Sequence, residues 1–498
     1  MTDKLLLHID GKDVPASDGA TFEVRNPTTG ELLYDVAHAT AGDVDAAVSA
    51  AGTAFRDRRW CGMRPRDRAR VLNRAAALLA DRIGEYARLE TLQIGRPIRE
   101  MRAQLARLPE WLEYFGAVAQ SAEGTVPDFG PGYLNVVHRV PLGVAGLITP
   151  WNHPLLITMK KLSAAVAAGN SLVVKPSELG PAVPVALVGL LEEAGIPPGV
   201  VNMVTGYGGT TGRFLSEHRD LDKLDITGGT ETGRVVAANA GRSLIPVTAE
   251  LGGKAPVIVF DDADLEQAVA GAMFASFIAT GQTCVQGARL LLHRPVYQRF
   301  VDRLAERTRS LRLGDPLDTG TQIGPLVSQP QRDKVAKAVD TARAQGATVL
   351  CGGRIPPGPA YERGWFYEPT LVTGIAAEHD LWYEEVFGPV AVIAPFEDEA
   401  DAVAKANDCS FGLAASVWTG DMGRALRVTE GLDVGITWVN DHHRIDPSSP
   451  WGGSKDSGIG SENGLDAYRG YTRPKSVIFN AAGQPFDWYA TTDNLRYS

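Results

Sequence analysis

The feature that most constrains the fold is a regular alternation of short apolar runs and helical patterns along most of the chain. Apolar runs of strand length are separated by segments whose apolar residues recur every three or four positions, as in amphipathic helices. Strands that are joined by helices lie parallel in one sheet. The first alternation predicts strands at 144–148, 171–174, 200–204, 223–226 and 244–248. This part of the chain therefore predicts a doubly wound parallel sheet.

The alternation starts again at Val257 and predicts a second α/β unit. A chain of 498 residues is long enough for two or three domains, so two such units are compatible with its length. The predicted helices are 264–279, 296–310 and 328–345. The predicted strands are 257–260, 289–293, 347–350, 370–372, 390–394, 414–417 and 435–439. The fold class that we expect is α/β, with two doubly wound domains.

The remaining segments predict short strands, helices, a hairpin and an irregular tail. Short strands between residues 5 and 36 precede helical patterns, the third of which runs from about Pro97 towards Gln120. Residues 121–141 are rich in turn formers and then alternate, which predicts a small β-hairpin. The tail 484–498 contains Phe486, Trp488 and Tyr489, and we expect it to pack against a second subunit.

Composition excludes several classes of function. The formal net charge is −10 and the pI is about 5.5, which disfavours a nucleic-acid partner. The sequence has no apolar stretch long enough to span a membrane, and its first residues lack the pattern of a signal peptide. The four cysteines lie far apart, without the spacing of a metal site or a disulfide framework. We therefore expect a cytoplasmic protein without a metal.

Cys284 lies in a glycine-flanked loop, Gly281–Arg289, between a predicted helix and a predicted strand. A side chain in such a loop can face a cleft that rigid elements hold. A thiol becomes a strong nucleophile when it is deprotonated, but a free thiol with a pKa of about 8.5 is only a few per cent thiolate at neutral pH. An isolated cysteine is more often a buried structural residue. The assignment therefore depends on the other motifs.

Loops next to predicted strands carry the polar groups that a nucleotide needs. A carboxylate such as Glu178 can bind ribose hydroxyls, and a strand-to-helix turn such as Gly228–Gly233 presents backbone N–H groups to a pyrophosphate. The glycine run Gly206–Gly212 alone is a weak phosphate signal. Each loop alone is explained by an ordinary turn, but open α/β sheets bind ligands at this edge. The other such loops are Pro150–Pro154, Lys175–Glu178, Glu250–Lys254 and Glu385–Pro389.

These motifs resemble those of the NAD(P)-dependent aldehyde dehydrogenase superfamily, in its hydrolytic, non-acylating type. Their order and spacing match over essentially the whole chain. The quoted pieces are Pro150-Trp-Asn152, Lys175-Pro-Ser-Glu178, Glu250-Leu-Gly-Gly-Lys254, Gly281-Gln-Thr-Cys284 and Glu385-Val-Phe-Gly-Pro389. The resemblance implies a Rossmann-like coenzyme domain from residues 1–120 and 142–252 and a catalytic domain from 253–469. Residues 121–141 and 470–498 would form the oligomerisation hairpin and tail of a homotetramer or homodimer.

The resemblance also implies catalytic roles. Cys284 would attack the aldehyde to form a thiohemiacetal and then a thioester. Asn152 and the Cys284 backbone N–H would hold the oxyanion, and Glu250 would activate the water that releases the acid.

The resemblance further implies which residues bind the coenzyme, NAD, and the aldehyde. The coenzyme residues would be Thr149, Pro150, Trp151, Lys175, Ser177, Glu178, Gly208, Gly212, Gly228, Gly229, Gly233, Leu251, Glu385 and Phe387. The aldehyde residues would be His153, Ile157, Lys160, Ile278, Thr283, Ile445 and Trp451. Two positions depart from the family pattern: Gly229 where serine is frequent, and Ser461 where arginine is common.

Several alternatives stay open. A CoA-acylating relative would lack a base at Glu250, a cysteine hydrolase would not need the ribose-binding groups, and a non-enzymatic relative would not need Cys284, Asn152 and Glu250 together. For the substrate, Trp451 and the isoleucines favour a hydrophobic or aromatic aldehyde. The alternative is a semialdehyde, which His442, His443 and Arg444 would clamp, or a betaine-aldehyde type of substrate.

Overall fold

The computed structural model describes residues 3–375, 379–481 and 489. Two large sheets of mainly parallel strands organise the protein, and helices cover them. The predicted α/β class with two doubly wound parts is therefore confirmed. We refer below to the first sheet and the second sheet in chain order.

The first sheet has eight strands, and its central five run parallel. Short antiparallel strands close both edges. A separate three-stranded sheet contains Asp3–Leu5, Leu32–Ala37 and Thr21–Arg25. In spatial order, the first sheet contains Gly458–Ile459, Val247–Glu250, Lys223–Thr227, Val144–Thr149, Ser171–Pro176, Val201–Met203, Leu7–Ile9 and Lys12–Val14.

The second sheet has seven strands, of which only the edge strand Thr348–Cys351 is antiparallel to its neighbour. A two-residue pairing of Phe411–Gly412 with Ser454–Lys455 lies outside it. In spatial order, the second sheet contains Thr348–Cys351, Thr370–Thr373, Val390–Phe396, Gly287–His293, Ala255–Val259, Ala414–Trp418 and Ile436–Val439.

The helices follow the predicted pattern closely where the periodicity is strong. Pro154–Ala168, for example, begins at a proline, ends before Gly169 with a φ of 98°, and is buried along its whole length. The α-helices are Ala41–Arg56, Pro65–Ile94, Ile98–Leu105, Pro109–Ser121, Pro154–Ala168, Ala182–Ala194, Arg213–Ser216, Thr230–Ser243, Leu265–Phe277, Tyr297–Arg309, Gln329–Ala344, Asp380–Tyr383, Glu399–Asn407, Met422–Gly431 and Gly464–Gly470. Gly208–Gly212 is a short π-helical turn, and the 3₁₀ turns are Ile278–Gly281, Arg294–Val296 and Pro359–Tyr361.

The third predicted helix differs from the structure, because it is two helices. Ile98–Leu105 ends before Pro109, which begins the helix Pro109–Ser121. A proline has no backbone N–H and its ring collides with the preceding turn, so it starts helices and interrupts them. The interruption lets Ile98–Leu105 turn towards the second sheet.

The segment that was predicted to be a hairpin also pairs differently. Its long strand, Tyr133–Pro141, pairs antiparallel with Thr472–Asn480 rather than with its own neighbour. Only an isolated bridge joins Thr125 to Val137. The intervening residues carry several prolines and glycines, which do not sustain a strand. We call the pair Tyr133–Pro141 and Thr472–Asn480 the ribbon. Of the predicted tail, Phe486 and Trp488 lie outside the described residues.

The carboxyl ends of strands in the first sheet lie next to the amino ends of strands in the second sheet, and the candidate site lies between them. The segment from Glu250 to Lys254 leaves the carboxyl end of Val247–Glu250 and enters the amino end of Ala255–Val259. Gly458–Ile459 returns to pair with Val247–Glu250 in the first sheet. In the described part of the chain, no helix combines the length and the apolar character that a membrane span requires.

Candidate active site

The predicted catalytic residues lie where the two sheets face each other. Asn152 and Glu250 follow strands of the first sheet, at its carboxyl edge. Cys284 and Glu385 precede strands of the second sheet, at its amino edge. The two edges touch at Gly253, where a Cβ atom would lie 2.3 Å from the carbonyl oxygen of Cys284. Only glycine permits this approach.

The Cys284 loop, residues 278–286, has an unusual backbone. Ala279 and Thr280 have φ values of 54° and 56°, and Gly281 follows at 71°. Left-handed conformations of residues other than glycine cost on the order of 1–3 kcal/mol each and are found at functional sites. Contacts to other elements hold the loop: the Glu100 carboxylate accepts the Ala279 N–H at 3.1 Å. The Gln282 side-chain oxygen accepts the backbone N–H of Val327 at 3.0 Å.

His442 holds the other side of the Cys284 loop. Its Nε2 lies 2.7 Å from the carbonyl oxygen of Val285, and its Nδ1 lies 3.2 Å from the Ser416 hydroxyl. Nε2 must therefore donate to Val285, and Nδ1 is left to accept from Ser416. Burial lowers the pKa of His442 to about 4, so the ring is neutral at pH 7. His442 thus supports the residue next to Cys284.

Donors for an oxyanion surround Cys284. The Asn152 side-chain amide donates to the carbonyl oxygen of Gln282 at 2.9 Å, two residues before the cysteine. The next residue, His153, makes a second contact with the Cys284 loop: its Nε2 lies 3.2 Å from the Thr283 hydroxyl. Among the described residues, no acceptor pairs with the backbone N–H of Cys284. That N–H and the Asn152 amide are therefore the candidate donors to an oxyanion at Cys284.

Cys284 is partly buried and its thiol is protonated in this environment. Burial raises the pKa of Cys284 to about 12, and the Lys160 ammonium opposes this shift. Glu385 and Glu250 raise the pKa further. A thiolate therefore forms only when a base takes the proton or when bound groups change the local field.

Glu250 is a buried carboxyl group without a hydrogen-bond partner. It is 4% exposed, and within the described part of the chain neither side-chain oxygen has a donor. Burial raises the pKa of Glu250 well above its usual value, and the neighbouring Glu462 adds to the rise. Its Oε1 lies beside Gly452, where a Cβ atom would be 3.3 Å away. A carboxyl group with a raised pKa is suited to accept a proton near pH 7.

The first sheet presents groups that fit a dinucleotide. Lys175 Nζ lies 3.2 Å from Glu178 Oε2, and burial lowers the pKa of Lys175. A Cβ built on Gly208, Gly209 or Gly229 has no neighbouring atom within 4 Å among the described residues, so a ligand can approach the backbone there. Gly229 caps the helix Thr230–Ser243, whose first N–H groups suit a pyrophosphate.

The other predicted coenzyme residues line the same edge. A Cβ at Gly233 would lie 2.2 Å from Leu251, so glycine allows the helix to pack closely on the sheet. The Gly228 N–H donates to the carbonyl oxygen of Glu250 at 3.1 Å. Gly212 lies near the Lys175 side chain. Thr149 is the last residue of the strand Val144–Thr149, Pro150 follows it, and Ser177 follows the strand Ser171–Pro176.

Glu385 lies on the second sheet's side of this edge. Its Oε1 accepts the Gly253 N–H at 2.9 Å, and burial raises the pKa of Glu385. Phe387, with a φ of 59°, packs edge-on against Trp151 with ring centroids 5.4 Å apart. The Gln331 side chain donates to the carbonyl oxygen of Phe387 at 2.8 Å and fixes the loop. The two ribose-binding candidates thus come from different sheets: Glu178 follows a strand of the first sheet, and Glu385 contacts Gly253 from the side of the second sheet.

Comparison with known proteins decides the family. The profile of the aldehyde dehydrogenase family matches residues 14–477 of this chain. The chain belongs to the aldehyde dehydrogenase family. The resemblance on which the sequence interpretation rested is therefore confirmed.

Relatives match this aldehyde dehydrogenase over nearly its whole length. A betaine aldehyde dehydrogenase of Brucella anthropi is 41% identical over 470 residues, which is 94% of this chain and 96% of that protein. The crystal structure of betaine aldehyde dehydrogenase from Staphylococcus aureus in complex with NAD+ is similar, with 36% identity and a TM-score of 0.95 over 97% of this chain and 96% of that one. PnpE from Pseudomonas sp. WBC-3, in complex with nicotinamide adenine dinucleotide, has 40% identity and a TM-score of 0.95 over 97% and 99% of the two chains.

A cavity of about 690 Å³ opens beside the Cys284 loop of this aldehyde dehydrogenase. Its lining is mixed: apolar residues such as Leu156, Met273, Phe274 and Phe277 form one part, and charged residues, among them the arginines at positions 96, 99, 107 and 444, form another. Of the residues predicted to bind the aldehyde, Ile278 and Ile445 line this cavity. The others lie beyond its lining: His153, Ile157, Lys160, Thr283 and Trp451 are all buried.

Sequence reasoning missed the residues that support the catalytic groups. Glu100 and Gln331 come from helices that carry no motif, and only their contacts in the fold reveal them. Glu462 follows Ser461, which departs from the family pattern. Its ion pairs with Lys160 and Lys161 are seen only in the folded protein. No spacing rule links positions 300 residues apart, so the sequence held no signal for this cluster.

Proposed function

We propose that this aldehyde dehydrogenase oxidises an apolar or aromatic aldehyde to the carboxylic acid with NAD, and that water releases the product. The enzyme class is that of the family, and relatives crystallised with NAD support the coenzyme. The observation that carries the proposal is Glu250, a buried and unpaired carboxyl group on the segment that touches Cys284. Such a base is needed for hydrolysis and has no role if CoA takes the acyl group.

The chemistry follows from the positions of the chain's own residues. The Cys284 thiolate attacks the aldehyde carbon, and the carbonyl oxygen becomes an oxyanion. Asn152 and the Cys284 N–H donate to that oxygen, which stabilises charge in a buried site. NAD supplies the acceptor for the hydride that leaves the same carbon. Glu250 then takes a proton from water, which attacks the Cys284 thioester and frees the acid and the thiol.

The coenzyme would contact three parts of the site. Lys175 and Glu178 would bind the adenosine ribose, the turn at Gly228 and Gly229 would bind the pyrophosphate, and Glu385 would bind the other ribose. The open backbone at Gly229 and the Lys175–Glu178 pair support this assignment. In the present geometry Glu385 accepts the Gly253 N–H, so it would have to exchange that bond for a ribose hydroxyl.

The cavity supports the apolar or aromatic substrate over the carboxylate clamp. His442 uses both ring nitrogens within the protein, and Arg444 is exposed and pairs with Asp441 at 3.2 Å. Burial lowers the pKa of His443 to about 3, so that this ring is neutral as well. Two further arginines of the lining are also paired, Arg96 with Glu100 and Arg107 with Glu110. The apolar part of the lining would instead pack against a hydrocarbon chain or a ring.

The assembly that we propose is a homodimer or homotetramer in the cytoplasm. Leu134, Ile478 and Phe479 on the ribbon are about half exposed, and apolar side chains on a sheet surface favour contact with a second subunit. The four cysteines are free thiols, as expected in a reducing compartment. The division into a coenzyme domain, a catalytic domain and an oligomerisation part belongs to the same proposal.

Replacement of Glu250 by glutamine tests the proposed function. With an aryl aldehyde, Glu250→Gln should produce one NADH per active site in a burst and then stall. Mass spectrometry should find the acyl group on Cys284. A stall before NADH appears would contradict the role and assign Glu250 to thiol activation. Faster turnover of the wild type with added CoA would indicate an acylating enzyme, and acyl hydrolysis without NAD would indicate a cysteine hydrolase.

A further inference from the structure

Lys160 is a buried cation that sits on the face of an aromatic ring. It is 1% exposed, and its Nζ lies 4.4 Å from the centroid of the Trp451 ring. The same Nζ lies 2.6 Å from Glu462 Oε2, as a buried ion pair. The ammonium is therefore fixed by charge on one side and by the ring on the other.

This cation lies on the substrate side of the nucleophile. Trp451 belongs to the small apolar cluster against which Cys284 and Ile445 pack, and Ile445 lines the 690 Å³ cavity. His443, which also lines the cavity, lies with its ring centroid 6.4 Å from that of Trp451. Gly452, the next residue, adjoins the Glu250 carboxyl. Trp451, with the Lys160 ammonium over its ring, thus belongs to the cluster around Cys284 and adjoins residues that line the cavity.

The ion pairs around Lys160 involve two ammonium groups and two carboxylates. Glu462 contacts both Lys160 and Lys161, and Lys161 also pairs with Asp225 at 2.5 Å. Of these four groups, the Lys160 ammonium is the one that lies over the Trp451 ring. A second cation near the ring would meet a like charge in a medium of low polarity, where repulsion is much stronger than in water.

An aromatic ring whose face carries no such cation attracts a positively charged ligand instead of repelling it. Quaternary ammonium groups bind to the faces of tryptophan and tyrosine rings, because the ring face is negative. In this protein the chain's own ammonium takes the Trp451 face. The relatives named betaine aldehyde dehydrogenases carry the name of a substrate with a trimethylammonium group.

We propose that Lys160 sets the charge selectivity of the aldehyde site, by occupying the Trp451 face and excluding aldehydes that carry a quaternary ammonium group. Neutral aldehydes of the same shape are admitted. This inference rests on the proposed function and makes its substrate class specific. It separates this enzyme from relatives that are more than a third identical to it.

A pair of isosteric substrates tests the inference. Betaine aldehyde and 3,3-dimethylbutanal differ by one quaternary nitrogen in place of carbon, so their ratio of kcat/KM measures charge alone. The wild type should prefer the neutral aldehyde by about tenfold to hundredfold. Lys160→Met should lower this ratio by about tenfold or more, whereas Lys160→Arg, which keeps the charge, should retain it. Equal use of the two aldehydes by the wild type, or an unchanged ratio in Lys160→Met, would overturn the proposal.

A binding measurement separates this inference from the proposed function. Choline and 3,3-dimethylbutan-1-ol are the unreactive alcohols of the same pair, and calorimetry with the wild type and Lys160→Met reports their affinities without turnover. Preference for the neutral alcohol that disappears in Lys160→Met supports the inference even if no aldehyde is oxidised. Tighter binding of choline to the wild type would refute it. Lys160→Gln, whose neutral amide can donate to Glu462, serves if Lys160→Met does not fold.

Discussion

The coenzyme half and the catalytic half of the site are built in different ways. On the proposed coenzyme half, most functional groups follow shortly after a strand of the first sheet, as Glu178 and Gly229 do, and Glu385 is an exception that precedes a strand of the second sheet. On the catalytic half, Cys284 precedes its strand and depends on residues from distant helices and loops. One half is positioned by the end of a strand, and the other by a set of buried polar contacts.

This difference predicts how substitutions in each half should affect the enzyme. A strand end in a parallel sheet is fixed by the whole sheet, so a single substitution there changes a ligand contact and little else. The Cys284 loop contains left-handed residues that are held by single hydrogen bonds, such as Glu100 to Ala279. Substitutions in the catalytic half should therefore change the rate of chemistry, and those in the coenzyme half should change coenzyme affinity or choice.

The largest expected effect is the loss of the nucleophile. Cys284→Ala should lower steady-state oxidation on the order of 10⁴-fold or more, because no other group can form the thioester. Its dissociation constant for NAD, measured by fluorescence or calorimetry, should remain close to the wild-type value. Cys351→Ala, at a free thiol in the edge strand of the second sheet, should retain full activity. Ordinary turnover by Cys284→Ala would remove the nucleophile assignment.

The next effect concerns the oxyanion. Asn152→Ala should lower kcat by about 10²–10³-fold, which is the usual loss for one donor. The affinity for NAD should again be unchanged, although Asn152 follows a strand of the coenzyme half. This variant therefore tests the comparison itself, because its residue starts in one half and acts in the other. An unchanged single-turnover rate, or a large loss of NAD affinity, would place Asn152 in the coenzyme half.

The same contrast explains what the sequence could predict. Strand ends and glycine turns are local patterns, so the parallel strands, the turns that follow them and most helices could be predicted from sequence. Pairings between distant segments could not, since nothing in residues 121–141 indicates Thr472–Asn480 as the partner strand. The same holds for the ion pair of Lys160 with Glu462, which is set by three-dimensional packing. The left-handed backbone at Ala279 and Thr280 had no sequence signal, because these residues do not favour it.

A smaller effect should follow when the support of the Cys284 loop is removed. Glu100→Ala leaves the Ala279 N–H without its acceptor and Arg96 without its ion pair. A lost buried hydrogen bond costs about 1–3 kcal/mol, so kcat should fall by roughly tenfold to hundredfold if the loop shifts. Glu100→Gln keeps an acceptor oxygen and should recover most of the rate. Equal activity of Glu100→Ala and the wild type would show that the loop holds its shape without this contact.

The smallest expected effect lies in the coenzyme half. Glu178 is partly exposed, and its carboxylate is held by Lys175 at 3.2 Å, where a 2′-phosphate of NADP would meet a like charge. We expect the wild type to prefer NAD over NADP by about tenfold or more in kcat/KM. Glu178→Gln should reduce this preference by up to about tenfold, while kcat with saturating NAD stays the same. Glu193→Gln removes the same charge from an exposed pair with Arg82 and should leave the preference unaltered. If Glu178→Gln changed kcat with saturating NAD, a substitution in the coenzyme half would alter the chemical step, which contradicts the separation of the two halves.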